Sequence, residues 1–163
     1  MKIRCVWEHN GNDSILYADS FIGAFTRGAS KDLAIQKMPS EIKSYLMWKG
    51  DLVTDSFEPE IVQEKCSDLT ISDADSDVLF DEERKELSVS EYEELKALVL
   101  KSARDFLSLY EAIPDKNKSC LPVRVTFYGQ VPRWRLKCIN IQKMLMITIS
   151  AKLVLLQIMR ETL

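Results

Sequence analysis

His9 is the only histidine in the chain, and the four cysteines, Cys5, Cys66, Cys120 and Cys138, lie far apart. One imidazole cannot supply a three-histidine metal site. Without a CxxC pair, zinc-knuckle and thioredoxin-type chemistry is excluded. Thiol catalysis needs a cysteine beside His9 and a third group to orient the ring. Cys5 shares a predicted hairpin with His9, but no motif joins the two. The run ISDADSD, from Ile71 to Asp77, offers oxygen donors for calcium. It lacks the loop glycine and the terminal bidentate glutamate of an EF-hand, so it reads as a solvated acidic linker. There is no glycine-rich phosphate loop, GxSxG elbow or HExxH helix. Glu93 and Glu94 read as helix-surface charges. Trp7, Trp48 and Trp134 are large enough to anchor a partner, although the first two suit core or edge packing better. The sequence thus leads us to expect no catalytic, cofactor-binding or metal-ligating residue, and it assigns no partner-binding position.

The elements that would position these residues begin with a hairpin. Lys2 to Glu8 alternates in the strand sense, with Ile3, Cys5 and Trp7 on one face and Arg4, Val6 and Glu8 on the other. His9-Asn10-Gly11-Asn12-Asp13 is turn chemistry. Ser14 to Asp19 is a second strand, with Ile15 and Tyr17 sharing a face. Ala24-Phe25-Thr26, bracketed by Gly23 and Gly28, suits a third. Ser30 is a good helix N-cap, and Asp32 complements the positive end of the dipole. Leu33, Ala34, Met38, Ile42, Tyr45 and Leu46 form one stripe, and Gly50 supplies the stop. Pro39 predicts a kink or two short helices. Glu58 to Cys66 is a further strand with Ile61 inward.

Composition fits a folded protein: 46% of the residues are hydrophobic and 29% charged. The net charge of −3 argues against a dominant nucleic-acid surface. That average hides an asymmetry. Acids far outnumber bases between Asp55 and Glu94. After Arg133 the bases Arg135, Lys137, Lys143, Lys152 and Arg160 face the single acid Glu161. The opening MKIRCVWEHNG has no long apolar stretch, so a cytoplasmic protein with reduced thiols is expected.

The β-β-β-α-β order and the stretch GAFTRGASKDLAIQKMPSEIKSYL, Gly23 to Leu46, carry a family resemblance. Gly23, the short strand Phe25-Thr26, Gly28, Ser30 and the amphipathic helix through Ala34, Ile42 and Tyr45 are similar to the HicB pattern. Pro39 departs from that family's unbroken helix. The resemblance implies one helix over one face of a small antiparallel sheet, leaving the other face or an edge for a partner. HicB-like modules commonly act as antitoxins that occlude a small toxin, often beside a DNA-binding domain. No helix-turn-helix or ribbon-helix-helix segment is evident here, which leaves no sequence support for a repressor role.

Ser67 to Glu86 is acidic. Ser88 or Ser90 then caps a long helix ending near Ile113, before Pro114. Its stripe, Tyr92, Leu95, Val99, Ala103, Phe106, Leu107 and Tyr110, reads as core packing, and Glu93 and Glu94 suit its N-terminal dipole. Pro114 to Pro122 is loop, and VRVTFYGQVPR, Val123 to Arg133, reads as a linker into a further element. From Asp77 to Arg133 the chain resembles the first helix and crossing loop of DinB-like bacterial proteins, some of which carry a HicB-like module in front. The pieces are DVLFDEER, SEYEELKALVLKSARDFLSLYEAIPDK and TFYGQVPR. The resemblance implies a four-helix bundle, in many members holding a divalent metal through three histidines. Some members are thiol-dependent transferases or hydrolases.

The resemblance stops after Arg133. The family pattern continues as EMYEHTKNVNxYYFGEIG, whereas this chain continues WRLKCINIQKMLMITISAKLVLLQIMRETL. The two are compatible in neighbouring reading frames. Taking the last base of each codon with the first two of the next, Lys137 (AAA) into Cys138 (TGT) gives methionine. Cys138 into Ile139 gives tyrosine, Ile139 into Asn140 glutamine and Asn140 into Ile141 histidine. Met146 into Ile147 forces aspartate. Permitted codons carry this to Leu163 as MYQHTKNVNDYYFGEIGVIADNEGNI. We therefore expect residues 134–163 to be a frameshift product, which also explains the basic, apolar tail. A membrane helix from Ile139 to Met159 is disfavoured, because Lys143, Lys152, Gln142 and Gln157 leave no uncharged run of roughly 18 residues. An interfacial helix is the remaining membrane alternative.

The expectation is an α+β protein: a HicB-like module over 1–66, an acidic linker over 67–87, the first helix and loop of a DinB-like domain over 88–133, and the shifted tail. The expected function is non-catalytic protein interaction with a small protein partner, with self-association through the open sheet edge as a further expectation. Neither clear nucleic-acid binding nor membrane-surface binding is expected. The alternative is a truncated DinB-like metal- or thiol-dependent enzyme, with a divalent metal expected only in the restored chain.

Overall fold

The computed structural model describes residues 1–53, 56–73, 76–116, 118, 124–126 and 129–131. The tail from 134 onward, with Cys120, Cys138 and Trp134, lies outside them. The chain divides into two units, Met1–Glu86 and Leu87–Leu163.

The first unit is α+β, built in the order β1 (Lys2–His9), β2 (Ser14–Ala18), β3 (Phe25–Gly28), α1 (Lys31–Lys49) and β4 (Glu58–Cys66). The strands lie side by side as β3-β2-β1-β4. The β1–β2 hairpin is antiparallel, with Cys5 opposite Ala18 and Trp7 opposite Leu16. Asn10 closes its turn, its side-chain oxygen accepting from the backbone N–H of Asn12 and of Asp13 at 3.0 and 2.8 Å. Gly11 supplies the left-handed residue the turn needs, at φ 87°.

The sheet is mixed rather than purely antiparallel, because β4 runs parallel to β1. The reason is the connection: α1 carries the chain back to the starting end of the sheet, as parallel pairing requires. The register slips between Cys5 and Val6, so Val62 bulges from β4.

Helix α1 starts at Ser30, whose hydroxyl accepts from the backbone N–H of Leu33 at 3.3 Å. It ends at Gly50, with φ 91°. Pro39 does not divide it: the helix is continuous through the proline, contrary to the expected kink or pair of helices. Packing offsets the lost hydrogen bond, since Ala34, Met38, Ile42 and Leu46 are buried along one stripe. They meet Ile3, Cys5, Leu16, Ala18, Ala24 and Phe57, with Trp7, Tyr45 and Ile61 partly buried against them. Leu33, expected on this stripe, is exposed instead. Gly28 lets the helix start lie close to β3, because a Cβ there would come within 2.8 Å of Leu33 Cβ.

The stretch read as an acidic linker falls within this unit, although most of its described residues are exposed. A short 3₁₀ turn, Ile71–Asp73, buries Ile71 to 1% exposure. Ser76 to Arg84 then lies as a strap over the sheet face opposite α1. The physical reason is Glu8. Strand alternation puts this carboxylate on that face, where it is fully buried and needs donors. The strap provides them.

The second unit contains α2 (Val89–Glu111), β5 (Arg124–Thr126) and β6 (Gly129–Val131). Ser88 and Glu91 form a capping box at the start of α2. The apolar stripe expected to be core has no buried residue. β5 and β6 pair antiparallel, with Val125 opposite Gln130, where the sequence suggested a linker.

Candidate functional site

The residues with chemical potential separate into three places. The first is the end of β1. The His9 ring stacks on Trp7 with centroids 4.0 Å apart and planes 16° from parallel. Its Nε2 lies 3.1 Å from Glu64 Oε1. Lys31 Nζ sits 4.4 Å from the Trp7 ring centroid, a cation–π contact. Cys66 is the β4 residue in register with His9 and is exposed. Among the described residues, no hydrogen bond joins this thiol to the imidazole. The ring is held by Trp7 and Glu64 as a packed element of the sheet end. Sequence reasoning named Cys5 as the neighbour of His9 and missed Cys66 and Glu64, because the parallel register of β4 that aligns them is a tertiary property.

The second place is Cys5. It is buried in the core beneath α1, and its thiol donates to the Ile3 carbonyl at 3.5 Å. Burial is the main cause that pushes its pKa from 9.0 up to about 11. The thiol is therefore protonated at neutral pH and is not a nucleophile.

The third is the strapped face. Glu8 Oε2 accepts from the Ser76 hydroxyl at 2.5 Å, and Oε1 from the Asp77 backbone N–H at 3.1 Å. Gln63 Nε2 donates to the Leu79 carbonyl at 2.9 Å, while its Oε1 accepts from the Asp81 N–H at 3.0 Å. Arg4 bridges Asp19 and Glu82, each at 3.1 Å. Tyr17 packs against Phe80 with centroids 5.3 Å apart. Burial raises the Tyr17 phenol above its ordinary pKa, and the nearby Glu8 charge adds to that. This arrangement can grip a polypeptide. The signal for it was present in the sequence as a carboxylate on an alternating strand, but only the strap explains the carboxylate.

Among the described residues, no group of three or more His, Cys, Asp and Glu side chains is arranged to hold a metal ion, the described part of the ISDADSD run included. No helix among them is long and apolar enough to cross a membrane. Of the tryptophans, Trp7 is partly buried against the core and Trp48 is tilted against Tyr45, with centroids 5.7 Å apart. The outer edges of the sheet differ. β4 carries Pro59, the Val62 bulge and alternating charge, all features that discourage strand pairing. β3 is short, with Phe25 44% exposed. Comparison with protein-family models, curated proteins and solved structures returned no match.

Proposed function

We propose that the first unit is a HicB-like, non-catalytic protein-interaction module, and that the second begins a DinB-like helical domain. The observation that carries the reading is the β-β-β-α-β unit with a Ser30-capped helix on one face and an open edge at β3. The strap covers the second sheet face, so the partner meets the β3 edge and its exposed Phe25. The partner chemistry is that of a small basic protein, and a cytoplasmic setting goes with it. The test is affinity purification of the tagged chain from its native source, with mass spectrometry of what elutes. A stoichiometric small basic protein, lost on Phe25→Asp, is the expected result. Recovery of the chain alone at native expression overturns the reading.

A second reading, a truncated DinB-like enzyme, is favoured by the codon compatibility of residues 137–163 with the family string. Resequencing the source DNA from the Val131 codon onward decides it. A base missing near Arg133, with histidine-bearing helices continuing in the other frame, is the outcome this reading requires. An intact frame removes it.

A further inference from the structure

The strap is held in an unusual way. Three of its polar contacts are to main-chain atoms: the Asp77 N–H by Glu8, and the Leu79 carbonyl and Asp81 N–H by the two ends of the Gln63 amide. A side-chain amide bonded to a carbonyl and an N–H two residues apart does what a neighbouring strand does, and it is tolerant of sequence. Selectivity enters through the strap's side chains. Ser76 gives its hydroxyl to Glu8, Phe80 lies on Tyr17, and Glu82 meets Arg4. The gripping side is part of the sheet, since Glu8 lies on β1, which is paired on both sides. The gripped side is not. Ser76 to Phe80 has no regular structure, Leu79 is 49% exposed, and no strap residue belongs to the core cluster beneath α1. Such a segment can leave without opening the core.

We propose that this sheet face is a docking site for a partner segment of the pattern Ser-Asp-x-Leu-Phe-Asp-Glu, and that Ser76–Arg84 is its tethered occupant. The buried Glu8 demands a hydroxyl and a free N–H in succession. Arg4, with Lys65 placed 3.8 Å from Asp77, favours acids on the incoming chain. Tethering gives the strap an effective concentration in the millimolar range, so a partner binds by competing with it. This site is separate from the β3 edge, and its failure leaves the small-protein reading untouched.

The test is fluorescence anisotropy with a labelled peptide of the sequence Ser76–Glu86, titrated with the full chain. Asp77→Pro with Phe80→Ala weakens the strap in cis, and far-UV circular dichroism checks that the chain is folded. The peptide is expected to bind this chain at least about tenfold more tightly than the unaltered one, as removal of a tethered competitor requires. Adding Glu8→Gln and Gln63→Ala should abolish binding. Should the double change unfold the chain, Phe80→Ala alone keeps every strap hydrogen bond and gives a smaller gain in the same direction. No binding to a folded weakened-strap chain at millimolar peptide overturns the proposal, as does binding indifferent to Glu8 and Gln63. A concentration-dependent dimer that the free peptide does not disperse also overturns it, since the occupant would then be a second copy.

Discussion

Glu8 is the residue on which the first unit turns. A carboxyl group with no exposure is costly unless its oxygens are met, and here two donors from the strap meet them. Glu8→Gln keeps the volume but sets an amide N–H₂ against one of those donors. We expect it to destabilise the chain by about 1–3 kcal/mol, the range for a buried polar group left mismatched. Urea denaturation followed by circular dichroism checks this, and an unchanged midpoint would show that the carboxylate has other support. Cys5 shows the opposite case, a titratable group made inert by burial.

At the scale of elements, α1 is the informative one. Its register was legible because Ser30, the Ala34-Met38-Ile42 spacing and Gly50 all point to the same boundaries. The expected break at Pro39 was a local inference, and packing along the stripe outweighs it. Replacing the proline tests that balance. Pro39→Ala restores an N–H to the helix interior and removes a steric penalty, so we expect a gain of about 1–3 kcal/mol, seen as a higher thermal midpoint. A loss on this substitution would mean that the ring's own packing holds the helix in place. The α2 cap was legible only as Ser88 or Ser90, and the structure selects Ser88, which shares a capping box with Glu91. The stripe's burial was not legible, since periodicity says which residues share a face but not what covers it.

For the whole molecule, the boundary at Glu86 rather than Cys66 has a consequence that fragments can test. A fragment of residues 1–86 retains the donors for Glu8 and the buried Ile71. A fragment of 1–66 lacks both, which leaves Glu8 without those donors. We expect both to unfold cooperatively, 1–66 with the lower thermal midpoint, since the core cluster beneath α1 lies within 1–66. Equal thermal midpoints for the two would show that the strap adds nothing to the fold.

Read locally, the chain yields the four strands of the first unit, both caps of α1, a start for α2 at Ser88 or Ser90, and a single histidine. These depend on alternation, on capping residues and on residue counts, all readable within a few positions. The pairing of distant segments is what makes β4 run parallel to β1, sets Cys66 in register with His9 and Glu64 against its ring, and lays Ser76 to Arg84 on the sheet. Those outcomes depend on which distant segments satisfy a buried group. Asp77, Asp81, Glu82 and Glu83 keep their exposure, as an acidic run would, while the Glu8 carboxylate and the Gln63 amide, far away in sequence, claim the backbone N–H groups of Asp77 and Asp81.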